Sequence, residues 1–425
     1  MAARTFEEAH RGPRVARARD GQRGPIRLAL LIGTPVPVKV PLYRQLDQEP
    51  ALDFTVIYAS AEGVSTFDFG YGHGVRWDTD LTSGYRSRYL RRASVTPGLG
   101  DHVWSVRNAD VASEVLRGRF DVLALGGYNS VTYLLGAATQ RAMNRPVLFR
   151  EEQTLLEPRP LLTAMVKEIA LRLLFRQGSA VYVSTENRRW FEHYGMPEER
   201  MFSAPYAVDN EQLQAAAQRL ASERGRLRRS FGIDHDGGPV ILTVGRLVHK
   251  KQPQFLLEAF RRVRERMRCT LLIAGSGELE GQLREHVERY RIPDVKLAGF
   301  VNRSRIAEAY AAADVFALLS RAHETFGLSV PEAMNFSLPI VVSQKVGCAP
   351  DLVANGLNGF VVSPSNAEYA AQALGQLVAN APLRRAMGEA SLRRLASWSL
   401  RDEVDGFLRA VAASVGPRRW SLAQP

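Results

Sequence analysis

The sequence predicts a two-domain α/β protein whose parallel sheets carry helices on both faces. Three observations lead there. Short apolar runs alternate with helical patterns along almost the whole chain, which is how βαβ units read. Those runs are near-continuous Val/Ile/Leu stretches, as strands covered on both faces require. The 425 residues also exceed what one ordinary core sustains, so two domains of about 200 residues are expected.

In the first half the candidate strands are Ile26–Gly33 (IRLALLIG), Phe54–Tyr58, Phe120–Leu125, Pro146–Phe149 and Ala180–Ser184. The second half offers Val240–Val244 (VILTV), Thr270–Ala274 (TLLIA), Val295–Ala298, Val315–Leu319 and Ile340–Ser343. Between the two sets, residues 210–230 form a charged helical pattern poor in β formers, followed by the Gly-bearing patch IDHDGGP. A domain boundary belongs in such a stretch. The expected organisation is therefore a basic arm (1–25), a first domain (26–209), a linker (210–236), a second domain (237–395) and a closing amphipathic helix and tail (396–425).

Composition narrows the class. Hydrophobic residues at 45% and charged residues at 24% describe a globular protein rather than a disordered one. A formal charge of +12 favours anionic partners such as nucleotides, phosphorylated substrates, lipid surfaces or nucleic acid, without choosing among them. The only cysteines, Cys269 and Cys348, support neither a disulfide framework nor a thiolate metal site. A reducing cytoplasm is the expected compartment. The first 25 residues are rich in Arg, Gly and Ala, lack the apolar stretch of a signal peptide, and read as a flexible basic arm. No segment reaches the ~18 apolar residues that span a bilayer.

The most informative stretch is HETFGLSVPEAMNFSLPIVVSQKVGCAPDLVANGLNGFVV, from His323. It places Glu324 in a loop, Phe326-Gly327 at a turn and Glu332 inside the helix that follows. Two carboxylates astride a helix start suit a sugar joined to a nucleotide diphosphate. The helix end offers unpaired N–H groups and partial positive charge to phosphate, while the carboxylates accept sugar and ribose hydroxyls. Upstream, VILTV runs directly into Gly245-Arg246, with Lys250-Lys251 one turn later. Glycine at a strand's C-terminal end lets a ligand approach the backbone, where ligands of such sheets bind. Arg246 and Lys251 are then placed to neutralise a diphosphate. Gly275 in IAGSGE marks a tight turn lining the same crevice, since a lone G-x-G is weak as a dinucleotide fingerprint. Gly299-Phe300 ends the next strand, where backbone groups can read a base edge and Phe300 can lie near its ring.

Taken in order, GRLVHKK, IAGSGE, LAGFV, ADVFALLS, the E-x7-E block, the Gly347–Asp351 turn and GLNGFVV resemble the retaining glycosyltransferases of family 4 (glycosyl transferases group 1). The resemblance covers residues 239–363 and extends more weakly over 180–209. It implies the GT-B fold, two Rossmann-like doubly wound domains facing a cleft. The second domain would bind a nucleotide-sugar donor and the first an acceptor. Matched residue by residue, Arg246 and Lys251 correspond to the family's diphosphate-binding pair. Glu324 corresponds to the carboxylate near the reacting centre, and Glu332 to the one on the ribose hydroxyls. Phe326, Gly327 and Leu328 correspond to the turn whose N–H groups meet the phosphates. Two departures stand out: Gly347-Cys348 and Asp351 replace a common glycine pair and later Glu. In addition, Gly33-Thr34-Pro35-Val36-Pro37-Val38-Lys39 replaces a Gly-rich first loop, with Lys39 or backbone N–H groups as its substitutes.

The resemblance implies transfer of a hexosyl group, with retention, to a hydroxyl of a sugar, lipid-linked or natural-product acceptor, in bacterial surface polysaccharide or natural-product biosynthesis. No metal or other cofactor is required by this reading. Acceptor candidates are Asp78 and Asp80, beside Trp77 and Tyr85, and Arg150 and Glu152 at a strand end; aromatic faces and carboxylates suit a sugar. Asp78-Thr79-Asp80 also has the D-x-D form of metal-dependent glycosyltransferases, a reading set aside because the other signals are GT-B. Nothing distinguishes His73, His102 or His193 as a base. The apolar helix at 160–177, with Lys167, Arg172 and Arg176, either packs on the sheet or makes a peripheral membrane contact at the inner face of the membrane. Two other classes fit less well. A GT-B sugar-nucleotide epimerase needs acid/base residues that are not identifiable. A catalytically idle nucleotide-binding protein would not need Arg246, Lys251, Glu324 and Glu332 together. Nucleic acid is not expected, for want of a recognition fold.

Overall fold

A computed structural model describes residues 24–61, 74–75, 77–91, 107–156, 161–233, 238–322, 324–416 and 420. The expected basic arm, His73, His102 and most of the glycine- and aromatic-rich stretch before Trp77 lie outside these residues. The chain divides into two compact units. One comprises residues 1–67, 80–206 and 400–425, the other 68–79 and 207–399.

The first unit is built from β1 (Ile26–Ile32), α1 (Val40–Asp47), β2 (Leu52–Tyr58), β3 (Ser87–Tyr89), α2 (Val111–Gly118), β4 (Val122–Leu125), α3 (Val131–Ala142), β5 (Val147–Phe149), α4 (Leu161–Phe175), β6 (Ser179–Tyr182), α5 (Thr185–His193) and β7 (Met201–Ser203). Its sheet has seven strands in the order β3-β2-β1-β4-β5-β6-β7, and every pairing is parallel. Leu28, Leu31, Phe54, Val122 and Phe149 are buried on the central strands, each stabilising the fold by about 1.5–3 kcal/mol on transfer from water. Helix starts follow local chemistry: the Ser130 and Ser184 hydroxyls accept from the N–H groups of Tyr133 and Asn187, satisfying donors that the first turn leaves orphaned.

In the second unit the elements are α6 (Asn210–Leu220), α7 (Arg224–Ser230), β8 (Val240–Val244), α8 (Pro253–Arg264), β9 (Thr270–Ala274), α9 (Glu280–Arg289), β10 (Val295–Gly299), α10 (Ile306–Ala312), β11 (Val315–Leu318), α11 (Ser329–Met334), β12 (Ile340–Ser343), α12 (Ala349–Leu352), β13 (Gly359–Val362), α13 (Ala367–Ala379) and α14 (Ala381–Arg394). Six parallel strands run in the order β10-β9-β8-β11-β12-β13. Helix α8 shows why these helices form: proline opens it, and Leu256, Leu257, Phe260 and Val263 turn one stripe into the core.

All ten expected strands are present; β3, β7 and β13 are additional and only three or four residues long. The organisation differs from expectation in two places. The stretch expected as a linker folds into α6 and α7, whose Leu220 and Leu227 pack with Ala312 of α10. Arg224 and Arg228 both pair with Asp314, at 2.6 and 2.5 Å. Buried leucines on one face make this stretch part of the second unit rather than a connector. The closing helix, α15 (Leu400–Val415), belongs to the first unit, where Gly406 lies so close to the carbonyl of Ser203 that a Cβ would sit 2.1 Å from it.

Helix α4 packs Leu171 and Phe175 into the first unit's core. Its other side exposes Met165, Val166, Ile169 and Leu173, each more than half accessible. No helix among the described residues is long and apolar enough to cross a membrane.

Candidate active site

Strand order in the second unit's sheet reverses between β8 and β11, the point at which open parallel sheets form a crevice beyond their C-terminal strand ends. After β8 the chain passes Gly245-Arg246 and enters a 3-10 turn, His249–Lys251. After β11 it passes Ser320 and reaches Glu324. Here Lys251 Nζ pairs with Glu324 Oε2, the two side chains only 17% and 12% exposed. Ser320 donates its hydroxyl to the same oxygen at 3.2 Å. The Arg321 N–H donates to the Lys250 carbonyl at 2.8 Å, so the two loops are held together by backbone as well as charge. Arg246 is exposed on the same turn.

Two glycines make the crevice possible. A Cβ on Gly275 would lie 1.8 Å from the Gly245 carbonyl oxygen, so the tips of β8 and β9 approach as closely as they do only without one. Likewise, a Cβ on Gly347 would lie 1.9 Å from the Thr325 carbonyl oxygen. Its N–H donates to the Glu324 carbonyl at 2.9 Å, and the Cys348 N–H donates to that of Phe326, also at 2.9 Å. The departure at Gly347-Cys348 therefore leaves the glycine that matters in place. Cys348 is buried, and burial, followed by the Asp351 charge, pushes its thiol pKa up.

Phe326 is expected at this turn through its backbone alone, and its side chain points elsewhere. Its side chain is buried and stacks on Trp398, 6.2 Å between centroids, so only its backbone stays near the turn. Gly327 has φ +94° and leads through Leu328 into α11. That helix has six residues, too few peptide dipoles to sum to a large macrodipole. Its Val330 N–H donates to the Gly327 carbonyl at 2.9 Å and Pro331 has no N–H, so what it presents to an anion is the N–H groups of Leu328 and Ser329.

Glu332 sits inside α11 and is 6% exposed. Tyr310 donates its hydroxyl to Oε2 at 2.7 Å, and Arg303 pairs with Oε1. The carboxylate is thus fixed in one orientation with lone pairs remaining. Beside it lies an open cavity of about 140 Å³, lined by Trp77, Gly245, Gly275, Phe300, Arg303 and Glu332 among others. Gly299 precedes Phe300 with φ +66° and open space where a Cβ would stand.

Residues 224–394 match the family model described as Glycosyl transferases group 1. This stretch, about two fifths of the chain, is similar to that family and lies within the second unit. Relatives of the chain include the alpha-D-kanosaminyltransferase of Streptomyces kanamyceticus, 27% identical over 59% of this chain and 65% of that protein. A D-inositol 3-phosphate glycosyltransferase of Xylanimonas cellulosilytica is 31% identical over 53% of this chain and 54% of that protein. A third or more of each relative's length is left unmatched. Among solved structures, Anabaena HepE in complex with UDP and glucose superposes with a TM-score of 0.69 at 17% identity, covering 91% of this chain and 100% of that one. At that identity the likeness establishes the fold, which is GT-B with two Rossmann-like units.

The matched stretch brings together Lys251, Glu324, Gly245, Gly275, Phe300 and Glu332, with Arg246, Gly299, Gly327 and Leu328 on the adjoining turns. The acceptor candidates are placed differently. Asp78 counts with the second unit, where its carboxylate accepts from the Ser304 N–H at 3.2 Å and from the Ser304 hydroxyl. Asp80 caps its own turn, accepting from the N–H groups of Thr82 and Ser83 at 2.9 and 3.1 Å. The Ser83 side chain and then these N–H groups hold its pKa at about 2. The two carboxylates of Asp78-Thr79-Asp80 thus serve different neighbours. Tyr85 is core, its hydroxyl 2.5 Å from that of Tyr58.

Arg150 and Glu152 are also engaged within the first unit. Arg150 is 3% exposed and pairs with Glu403 of α15 and with Glu152, both at 2.7 Å. It also lies over the Tyr206 ring at 4.7 Å. Glu152 takes Lys39 at 2.7 Å; burial raises its pKa, but Lys39 and Arg150 outweigh that and bring it to about 2. Lys39, expected as a phosphate ligand, is therefore part of this network. His193 pairs with Glu168 at 3.1 Å on the unit's exterior. Sequence reading did not identify Arg303 or Tyr310. The only signal for Arg303 is a cation three residues after the Gly299-Phe300 turn, and Tyr310 looks like any helical core aromatic.

Proposed function

We propose that this protein is a nucleotide-sugar-dependent glycosyltransferase that moves a hexosyl group to a hydroxyl acceptor with retention. One observation carries the reading: the Lys251–Glu324 pair at the sheet's switch point, next to a cavity that ends on the doubly anchored Glu332. In this arrangement Arg246, Lys251 and the N–H groups of Leu328 and Ser329 take the diphosphate, Glu324 the sugar and Glu332 the ribose hydroxyls. The anomeric C–O bond to the diphosphate breaks and the acceptor oxygen bonds the same carbon on the same face. The acceptor's proton passes to the leaving phosphate oxygen, so the step uses no metal and no separate base. Arg246 and Lys251 act by stabilising negative charge as it develops on the leaving group.

A cavity near 140 Å³ is about the size that admits one six-membered ring, which favours a pyrimidine base. The UDP held by HepE supports the same choice. The acceptor is proposed to be a sugar, a lipid-linked sugar or a natural product. The exposed Met165, Val166, Ile169 and Leu173 of α4, with the exposed Arg172 and Arg176 beside them, supply an apolar face with a cationic rim. That chemistry matches an anionic bilayer surface, and flotation with phosphatidylglycerol vesicles, lost in Ile169→Glu, checks it.

A panel of UDP-, GDP- and TDP-sugars scored by thermal shift tests the donor reading, because a true donor stabilises the folded state by mass action. UDP-sugars are expected to raise the melting temperature. A flat response to every donor would sink the reading.

A further inference from the structure

Residues 68–79 count with the second unit, although the chain on either side of them through residues 67 and 80 counts with the first. The described part of this excursion carries Trp77 and Asp78. The Asp78 N–H donates to Asn302 Oδ1 at 3.4 Å, and its carboxylate takes the N–H and hydroxyl of Ser304. These bonds fasten the excursion to the turn between β10 and α10. One residue earlier, the Trp77 indole meets the Phe300 ring edge to face, 5.9 Å between centroids at 61°. Trp77 is only half-buried there and lines the same cavity as Phe300 and Glu332.

We infer that Trp77 is a base-recognition residue for a pyrimidine nucleoside diphosphate and that Asp78 is the positioning residue that holds it in place. The inference rests on the donor reading above. If Lys251 and Arg246 take the diphosphate and Glu332 the ribose, the base leaves the ribose on the side away from the phosphates. The aromatic rings of this cavity's lining are those of Trp77 and Phe300, which leaves them to meet the base. Two aromatic rings meeting edge to face present one flat face and one edge to a third ring. Base–aromatic contact of this kind changes affinity by about 5- to 100-fold on alanine substitution. The aromatic supplied by the excursion is independent of the phosphate ligands, so its loss separates base binding from phosphate binding.

The test is calorimetric titration of the full chain with UDP, GDP and inorganic pyrophosphate. Wild type is expected to bind UDP more tightly than GDP. Trp77→Ala is expected to weaken UDP 5- to 100-fold while changing pyrophosphate less than twofold. Trp77→Phe should keep most of the UDP affinity. Asp78→Ala should reproduce the Trp77→Ala pattern at smaller size, as befits a residue acting through its neighbour. Wild type that binds no nucleotide would remove the donor reading and this inference together. Wild type that binds UDP, with Trp77→Ala unchanged, would overturn the inference alone. Equal losses for UDP and pyrophosphate would show a general disturbance of the fold and overturn it too. GDP bound more tightly than UDP would overturn the pyrimidine assignment.

Discussion

Tyr310 donates its hydroxyl to Glu332 Oε2 at 2.7 Å while Arg303 holds the other oxygen, so Glu332 is aimed by two donors before any ligand reaches it. Tyr310→Phe should cost about 1 kcal/mol of stability and weaken UDP several-fold, leaving pyrophosphate affinity unchanged. Arg303→Met leaves a buried carboxylate with half its partners and should cost more, on the order of 3–5 kcal/mol. Chemical denaturation and calorimetry measure the two effects.

Lys251 and Glu324 form one charge pair, and partners in one pair are not additive. Lys251→Ala should mainly slow transfer, whereas Glu332→Ala should mainly weaken nucleotide binding. The double variant Lys251→Ala/Glu324→Ala is expected to be no more than about threefold slower than the worse single variant. Losses that multiply would mean that the two side chains act independently.

Glu151 is 4% exposed and its Oε1 has no hydrogen-bond partner among the described residues. Burial, then the neighbouring Glu152 charge, raises its pKa well above the ordinary carboxyl value. The folded state therefore holds this proton more tightly than the unfolded one. The stability this provides is complete below the unfolded pKa and is lost as pH rises toward the folded value. Glu151→Gln should accordingly raise the melting temperature more at pH 8 than at pH 5, by an increment on the order of 2–4 °C. Glu152 behaves in the opposite sense: with its pKa near 2, its contribution is present above about 4.5 and lost as pH falls toward 2.

Arg150 and Glu403 are both almost fully buried and lie 2.7 Å apart. Arg150→Met strands Glu403 and should destabilise by about 3–5 kcal/mol, whereas Arg150→Met/Glu403→Leu should recover much of that loss. Thermal melts of the three proteins decide. Limited proteolysis adds a local readout, since α15 should be released first in the single variant.

Much of the fold was legible because buried parallel strands advertise themselves by composition. VILTV, TLLIA and IRLALLI could hardly be anything else. The additional strands β3, β7 and β13 are too short, and β3 too polar, to announce a period. The grouping of Gly245, Gly275, Lys251, Glu324 and Glu332 at one end of the second sheet was legible for a related reason: residues that follow parallel strands share that end, so local spacing encodes them. The partners of Asp78, Arg150 and Glu152 were not legible, because a carboxylate or guanidinium after a strand looks the same whether it meets a ligand or another part of the protein. Only tertiary structure brings Ser304 to Asp78 and Glu403 to Arg150. Helices α6 and α7 misled in the same way, since a charged amphipathic pattern does not reveal which core will receive its leucines.

The return of α15 to the first unit also bears on how the protein is made. Roughly two hundred residues separate Tyr206 from Leu400, which a ribosome adds in about 10 to 40 s. Throughout that interval the first unit waits with Arg150 bereft of Glu403 and the part of its sheet at β4–β7 without α15, and by its end the second unit has its whole sequence. The domain synthesised first is thus the last to be finished. Any shortened version ending before Leu400 would keep it permanently in that unfinished condition.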